Sequence, residues 1–249
     1  RPVPMPGGEQ AIHEPWRMAY AHLTHAFAWP ELAERYRTLP FIAGLRERPL
    51  DTLNAMMTRE INTPQTSACG RLFDAVAATV GLRQTVTYEG QAAIEFEAAA
   101  DLDLAELGAE EAHAYPFAIK DATAEDLTQL DPQPMWSALL DDLDRNVPIP
   151  IISVRFHIGL ACGIDEMIKH LATRLGAAWH GQVVLSGGVF QNVLLFDLLA
   201  VRLLSRDIKV LSQQHLPSND GGLAWGQAAV AAALALGRVS QCASQFPDA

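Results

Sequence analysis

Positive charge is scarce in this chain. Its 249 residues include 18 Lys and Arg against 29 Asp and Glu, which gives a formal net charge of −11. No cluster of basic residues stands out to neutralise a phosphate backbone, so we expect no nucleic-acid partner. A single nucleotide remains compatible with this charge, because backbone N–H groups and one metal ion can hold a small anion.

Cysteine is scarce as well. Cys69, Cys162 and Cys242 are odd in number and far apart, and no C-x-x-C pair occurs. This pattern argues against a disulfide framework and against a structural zinc site. It predicts a reducing, cytoplasmic location.

Long apolar runs are missing too, although 49% of the residues are hydrophobic and suffice for a sizeable core. The best candidate, residues 223–236, is rich in alanine and interrupted by Gly226 and Gln227. We therefore expect neither a membrane span nor a signal peptide. The chain begins with Arg1 in a linker-like segment of Pro and Gly, which predicts that it is a piece of a longer polypeptide.

The most informative stretch reads Leu-Ser-Gly-Gly-Val-Phe-Gln-Asn at residues 185–192. The apolar run 183–185 predicts a buried strand, and the spacing over 193–204 predicts a helix. A strand that turns into a helix at Gly187 and Gly188 brings backbone N–H groups and the positive helix end to one place, which suits a phosphate or a ribose edge. On these glycines alone, an ordinary tight turn is the better interpretation.

A second strand, glycine turn and helix follow at 208–211, 217–222 and 223–236. Parallel strands with a right-handed crossover place both turns at the carboxyl edge of the sheet, where ligands of open α/β sheets bind. Asp220 would then lie beside the first turn, where a carboxylate can hold a metal ion that neutralises phosphate charge. The spacing alone favours its other role, that of a helix N-cap.

Two acidic residues upstream are candidate ribose contacts. Gly70 and Asp74 lie in one predicted helix, and Gly90 and Glu95 lie at the start of the next. Each carboxylate could accept hydrogen bonds from the hydroxyls of a ribose. The spacing alone favours the alternative, two solvated acids on amphipathic helices.

Residues 9–60 are predicted to be helical, with Pro15 at a kink or a helix start. His22 and His25 are three apart and could share a helix face. Two histidines without a third ligand nearby make a metal site less probable than a solvated or half-buried face.

The middle of the chain carries one weak catalytic candidate. The acidic stretch 101–150 predicts an edge strand at 114–119, a polar surface crossing at 121–134 and a helix at 136–143. A long helix over 151–175 then follows, with His157 at its centre. A lone histidine on a mostly buried helix face is more often a satisfied core residue than a catalyst.

Six segments together carry a family resemblance, and they follow one another in this order: Pro6-Gly7-Gly8 with Glu14-Pro15-Trp16-Arg17, residues 70–77 (GRLFDAVA), 88–93 (YEGQAA), 155–157 (RFH), 185–192 and 219–222 (NDGG). In order and spacing they resemble the C-terminal part of the HypF family, the hydrogenase maturation carbamoyltransferases. The resemblance covers nearly the whole chain, and six motifs in order are quite specific.

The resemblance implies a fold. The last domain of that family is similar to the tRNA threonylcarbamoyl transferases, so the expected class is α/β. The chain would form one lobe of an actin-, hexokinase- and Hsp70-like (ribonuclease H-like) fold with a helical insertion. Within residues 1–249, the helical segment would be 1–60 and the nucleotide-binding α/β lobe 61–249.

The resemblance also implies a reaction. Carbamoyl phosphate and ATP yield carbamoyl-adenylate elsewhere in the full protein, and this domain moves the carbamoyl group to the C-terminal cysteine of a partner, HypE. That group later becomes a cyanide ligand of the nickel–iron centre. The implied cofactors are ATP or carbamoyl-adenylate and a divalent metal (zinc, iron or magnesium). The implied partners are a HypE-like acceptor and the upstream domains of the same polypeptide.

Site residues carry over position by position. Gly70 and Asp74 match a ribose-binding helix start of the tRNA-modifying relatives, and Tyr88 with Gly90 matches a ribose-binding turn, followed by Glu95 at the position of a ribose-contacting acid. Gly187, Gly188 and Asn192 match a nucleotide-binding Gly-Gly-Val-x-x-Asn. Asp220 matches a metal-ligating aspartate, and the resemblance favours that role over the N-cap.

The chain departs from the family pattern in one respect that bears on catalysis. Such domains normally bring an upstream lobe with a histidine pair and a first phosphate-binding loop, and neither occurs before residue 60; His22 and His25 lie in the wrong context. We therefore expect an incomplete enzyme. Two alternatives stay open: a sugar- or acetate-kinase-like phosphotransferase lobe, and a non-catalytic module that docks a partner through residues 9–60.

Overall fold

The structure, a computed structural model, describes residues 1–100, 111–123 and 127–236. Cys242 and parts of the predicted 101–134 stretch lie outside the described residues. Helices account for most of the fold. Their bounds are α1 Gln10–His13, α2 Pro15–Ala26, α3 Trp29–Arg35, α4 Pro40–Leu45, α5 Leu50–Thr58, α6 Cys69–Thr79, α7 Gln91–Ala98, α8 Gln133–Asp144, α9 Ile149–Leu175, α10 Val193–Leu204 and α11 Leu223–Ala235.

The strands form two-stranded sheets. Their bounds are β1 Val3–Pro4, β2 Gln65–Thr66, β3 Ala118–Lys120, β4 Gln129–Asp131, β5 Gln182–Leu185 and β6 Lys209–Ser212. Pairs β1–β2 and β3–β4 are antiparallel, whereas β5–β6 is parallel. Short 3-10 turns lie at Glu111–His113, Gly176–Ala178, Gly188–Gln191 and Asp220–Gly222.

The parallel pair and its crossover helix confirm the predicted strands and helix of residues 183–211, but the predicted burial of strand 183–185 is wrong for Val184, which is 65% exposed. Val183 pairs with Val210, and Leu185 with Ser212. Helix α10 connects the two strands and packs against β6 and α9. Its buried residues recur every fourth position, Leu195, Leu199 and Leu203, which gives the apolar stripe of a helix that lies on a core.

Helix α6 lies at the centre of the core. Every residue from Arg71 to Thr79 is buried, as expected of a helix surrounded by other elements. It packs against α2 on one side and α7 on another. The helices of 9–60 thus share one core with the rest of the described chain.

The start and end of this helical segment are fastened together. Val3 pairs with Thr66 in the short β1–β2 ladder. The Met5 N–H then donates to the Pro64 carbonyl oxygen at 2.9 Å, and the Gly7 N–H donates to Asn62 at the same distance.

Pro15 begins helix α2, because its ring suits the first helical position. Of its two predicted roles, the helix start is confirmed and the kink is wrong. Helix α4 lies within the segment 9–60 that was predicted to be helical. The predicted edge strand at 114–119 shrinks to β3, because the Tyr115 N–H donates to the Arg155 carbonyl oxygen of helix α9 at 3.1 Å. Its partner β4 lies within the stretch predicted to be a polar crossing.

No helix in the described ranges is both long enough and apolar enough to cross a membrane. Cys69 and Cys162 form no disulfide.

Candidate functional site

The two glycine turns meet at the carboxyl edge of the β5–β6 pair, as predicted. The Gly187 N–H donates to the Ser218 carbonyl oxygen at 2.9 Å, and a Cβ built on Gly188 would lie 3.7 Å from the Asn219 Cβ. Gly187 has φ +105°, a conformation that L side chains rarely adopt. The first turn therefore needs its glycine for backbone reasons and touches the second turn directly.

A cleft of about 690 Å³ opens where the turns meet, within the size range of small-molecule sites. Its lining includes Gly187, Gly188 and Asp220 from the two turns, polar side chains such as Gln227, and apolar residues of helix α11 such as Val230. The cleft is thus lined by backbone atoms of the glycine turn together with apolar side chains of helix α11. This lining suits a flat, partly apolar ligand with polar edges.

Asp220 is exposed at this cleft. The N-cap of helix α11 is Gly222, without a side-chain hydrogen bond. Asn219 caps the preceding 3-10 turn, since its Oδ1 accepts from the Gly221 N–H at 3.0 Å. The N-cap interpretation of Asp220 is therefore wrong. Its carboxylate stays available to the cleft.

The predicted ribose side, residues 70–95, lies next to the first turn without lining the cleft. Helix α6 contacts the Gly188–Gln191 turn, but Gly70, Asp74, Gly90 and Glu95 do not line the cavity. A ligand that touches both regions would have to extend from the cleft across this turn.

Asp74 is buried, with 2% of its surface exposed, so the solvated-acid alternative is wrong for this residue. Arg71 Nη1 lies 2.9 Å from Asp74 Oδ2, but neither atom has a partner with hydrogen-bond geometry, and the contact is one of charge alone. Burial raises the pKa of Asp74 to about 6, against the lowering effect of Arg71, and Glu89 raises it further. Arg71 also donates to Glu89 at 3.0 Å.

The two glycines of this region differ in what they require. Gly90 has φ +85° and forms the N-cap of helix α7, so its backbone demands glycine. Gly70 lies inside helix α6, and a Cβ there would meet no described atom within 4 Å. The space beside the Gly70 backbone is open.

Glu95 is held by Arg83. Arg83 Nε and Nη2 lie 2.5 and 2.7 Å from its two carboxylate oxygens, and Gln91 donates at 3.1 Å. The Arg83 hydrogen bonds lower the pKa of Glu95. A ribose that binds Glu95 would share this carboxylate with Arg83.

His157 and Asn192 are joined inside the core. His157 is fully buried, and its Nδ1 lies 2.7 Å from the Ser153 carbonyl oxygen, which can only accept. Burial lowers the pKa of His157 to about 4, so the ring is neutral and its Nε2 accepts from Asn192 Nδ2 at 2.9 Å. The Asn192 Oδ1 accepts from the Leu195 N–H at 2.7 Å and caps helix α10.

These contacts use both ring nitrogens of His157 and both polar atoms of the Asn192 side chain. The structure thus favours the core interpretation of His157 over catalysis. The nucleotide contact carried over to Asn192 stays a prediction.

Glu97 is a residue of this region that the sequence reasoning missed. Its Oε1 accepts from the N–H groups of Val193 and Leu194 at 2.6 and 3.2 Å. A carboxylate therefore already lies at the start of helix α10, where the sequence had suggested that the positive helix end faces the ligand. A glutamate on an amphipathic helix gives no sequence signal of such a long-range contact.

The described residues do not complete a metal site. No group of three or more His, Cys, Asp or Glu side chains within them could hold an ion. His22 is buried and burial lowers its pKa to about 3, while His25 is exposed. Asp220 can supply one ligand, and a single carboxylate does not fix an ion alone.

Taken together, the parallel strand pair, its two turns and the cleft between them define a mixed α/β protein with a ligand-sized cleft at the edge of a sheet. The family model described as carbamoyltransferase, Kae1-like domain, second subdomain, matches residues 1–227. The chain belongs to this family of Kae1-like carbamoyltransferase domains, that of the HypF proteins.

Curated relatives show the same relationship. The chain is 32% identical to carbamoyltransferase HypF2 of Cupriavidus necator, across 93% of this chain and 29% of that protein. It is 36% identical to carbamoyltransferase HypF of Rhizobium leguminosarum, across 92% of this chain and 27% of that protein. It thus spans less than a third of the length of these two relatives.

Solved structures agree with the fold. A full-length HypF crystal structure in the phosphate- and nucleotide-bound form has a TM-score of 0.78 and 30% identity, across 94% of this chain and 28% of that one. A crystal structure of T. kodakarensis HypF has a TM-score of 0.72 at 21% identity, across 96% of this chain and 30% of that one.

Proposed function

We propose that this chain supplies the nucleotide-binding part of a carbamoyltransferase that acts in nickel–iron hydrogenase maturation. The group would pass from carbamoyl-adenylate to the C-terminal cysteine of a HypE-like acceptor protein. The observation that carries the proposal is the cleft shared by Gly187, Gly188 and Asp220 in a chain of the HypF family. A relative with the same fold was crystallised in a nucleotide-bound form.

The reaction is an acyl transfer. The acceptor thiolate forms a C–S bond to the carbamoyl carbon, and the C–O bond to the adenylate phosphate breaks, so that AMP leaves with the electron pair. The residues of this chain would bind and orient the adenosine: the glycine turn through its backbone, the α11 wall through apolar contact, and Asp74 and Glu95 from the ribose side.

The cleft offers little acid–base chemistry. Among the described residues that line it, Asp220 is the single ionisable side chain. His157 is neutral with both nitrogens in use. The acceptor cysteine must therefore arrive as a thiolate or lose its proton to groups outside this cleft, and the contribution of this chain is positioning.

The finer architecture belongs to the same proposal. We propose that the chain is one lobe of an actin-like, two-lobed fold, whose other parts are upstream domains of the same polypeptide. Asp220 would offer one carboxylate to a divalent metal at the lobe boundary, with the other ligands supplied from outside the described residues. The family match favours this function over a sugar- or acetate-kinase-like lobe.

Gly70 offers a sharp test. A Cβ at Gly70 meets open space, and so does a Cβ at Gly44 in helix α4, so alanine at either helical position should stabilise the fold by up to about 1 kcal/mol. If the space beside Gly70 holds ribose, Gly70→Ala should abolish the rise in melting temperature caused by millimolar adenine nucleotide. Gly44→Ala should keep that rise.

Asp220→Asn and Gly188→Ala extend the test to the cleft. Asp220 is exposed and Gly188 has room for a methyl group, so both should melt like the wild type without ligand. Both should bind nucleotide more weakly. The proposal fails if nucleotide does not shift the wild-type melting temperature, or shifts it equally in wild type, Gly70→Ala and Asp220→Asn.

A further inference from the structure

The start of helix α10 has no spare N–H groups for a ligand. Glu97 accepts from Val193 and Leu194, and the Asn192 side chain accepts from Leu195. These amides belong to the first turn of the helix, where an anion would otherwise be attracted. A phosphate placed there would meet the Glu97 carboxylate.

The same glutamate ties two predicted ligand regions together. Glu97 belongs to helix α7, two residues beyond the predicted ribose contact Glu95, while Val193 directly follows the glycine turn and its Asn192. The link spans 96 residues of sequence. It is a direct hydrogen bond between the ribose side and the turn.

Helix α7 is held by such links in addition to its packing against helix α6. It has eight residues and begins after Gly90 in a left-handed conformation, and helices this short are marginal without tertiary contacts. A second fastening exists at Phe96. Its carbonyl oxygen accepts from Ser153 Oγ at 2.5 Å, and its ring stacks on His157 with centroids 5.6 Å apart.

Resting on the proposed function, we infer that Glu97 is a positioning residue. Its hydrogen bonds to helix α10 fix helix α7, and with it Glu95, relative to the glycine turn. Binding groups must be held to within about 0.5 Å of productive geometry, and a ligand that reaches both regions gains from that rigidity. A ligand that reaches only the turn does not.

This difference sets the experiment. Adenosine has the ribose hydroxyls, and 2′,3′-dideoxyadenosine lacks them. Affinities for both are measured with the full chain by ligand titration for wild type, Glu97→Ala, Glu97→Gln and Glu47→Ala. Glu47 is an exposed glutamate outside the site and serves as the matched control.

Glu97→Ala should weaken adenosine binding about tenfold, the equivalent of about 1.4 kcal/mol, and leave dideoxyadenosine binding within about twofold. Glu97→Gln keeps a carbonyl oxygen that can accept and should restore most of the adenosine affinity. Glu47→Ala should match the wild type. If Glu97→Ala does not fold, Glu97→Asp replaces it, because its shorter side chain should also weaken adenosine selectively.

The outcomes separate the two levels of inference. Failure of wild type to bind adenosine overturns the proposed function, and this inference with it. Wild-type binding with an unchanged ratio of the two affinities in the Glu97 variants overturns the positioning role alone. AMP is titrated as a third ligand. Tighter AMP binding in Glu97→Gln, with adenosine affinity unchanged, would overturn the positioning role and show instead that the carboxylate repels phosphate.

Discussion

The His157 Nε2 atom accepts a hydrogen bond from the Asn192 side-chain amide at 2.9 Å, deep in the core between helices α9 and α10. The carbonyl oxygen of Ser153 fixes the proton on Nδ1, and the Leu195 N–H fixes the orientation of the amide. Each partner thus determines the hydrogen-bonding state of the next.

The first prediction concerns the pH dependence of stability. The pKa of His157 is lowered to about 4 in the fold from about 6.5 in an unfolded chain, so the unfolded state binds more protons between these values. His157 therefore lowers the free energy of unfolding as pH falls from about 6.5 towards 4. The total loss, reached below both pKa values, is roughly 3 kcal/mol. His157→Gln should remove this part of the pH dependence in denaturant titrations at pH 7 and pH 4.5. An unchanged difference between the two pH values would show that the ring is charged or solvated.

The second prediction concerns a substitution of Asn192, the hydrogen-bond partner of the His157 ring. Asn192→Asp keeps an oxygen that can cap helix α10 but removes the donor to His157. A carboxylate beside the ring favours the imidazolium, so the pKa of His157 should rise. NMR titration of the ring protons measures it. Asn192→Ala, which has neither charge nor donor, is the control and should raise the pKa less than Asn192→Asp does.

The third prediction concerns Asp74, which changes the stability with pH in the opposite direction to His157. The pKa of Asp74 is raised to about 6 by burial from about 3.9 in an unfolded chain, so the folded state binds more protons between these values. Asp74 therefore lowers the free energy of unfolding as pH rises from about 4 to 6, by up to roughly 3 kcal/mol. Asp74→Asn should be more stable relative to wild type at pH 7 than at pH 4. A relative stability that is equal at both pH values would place the carboxyl in solvent.

The fourth prediction concerns a close approach in the core. A Cβ on Gly159 in helix α9 would lie 2.8 Å from the Tyr115 nitrogen and closer still to its carbonyl oxygen. Because backbone must shift, Gly159→Ala should cost about 3 kcal/mol or more of unfolding free energy. Gly226→Ala in helix α11 meets open space and should stabilise by up to about 1 kcal/mol. Equal melting temperatures for the two variants would contradict the tight packing of segment 115 on α9.

Strong local patterns made much of the fold predictable. Helix α10 matches its predicted range, and helices α6, α9 and α11 and strands β5 and β6 agree to within a residue or two. In helices α6, α9 and α10 the apolar periodicity agrees with the burial, whereas no residue of helix α11 is buried. Strands β3 and β4 have only three residues each, too few to show alternation. Tertiary contact with helix α9 decides where they begin.

The candidate site was predictable in its chain positions and less so in its partners. The meeting of the two glycine turns follows from parallel topology, which the sequence indicates. Arg71 lies three residues before Asp74, and that spacing could have indicated their pairing. The contacts of Glu97 with Val193 and of Asn192 with His157 join distant parts of the chain, and one sequence carries no local signal for them.

The short ladder between Val3 and Thr66 joins the two ends of the first sixty-odd residues. The hydrogen bonds from Met5 to Pro64 and from Gly7 to Asn62 extend it. The bend at residues 46–49 is exposed. A single protease cut at that bend would yield two fragments that remain paired through the Val3–Thr66 ladder. They should stay associated and unfold in one transition, although no covalent bond connects them.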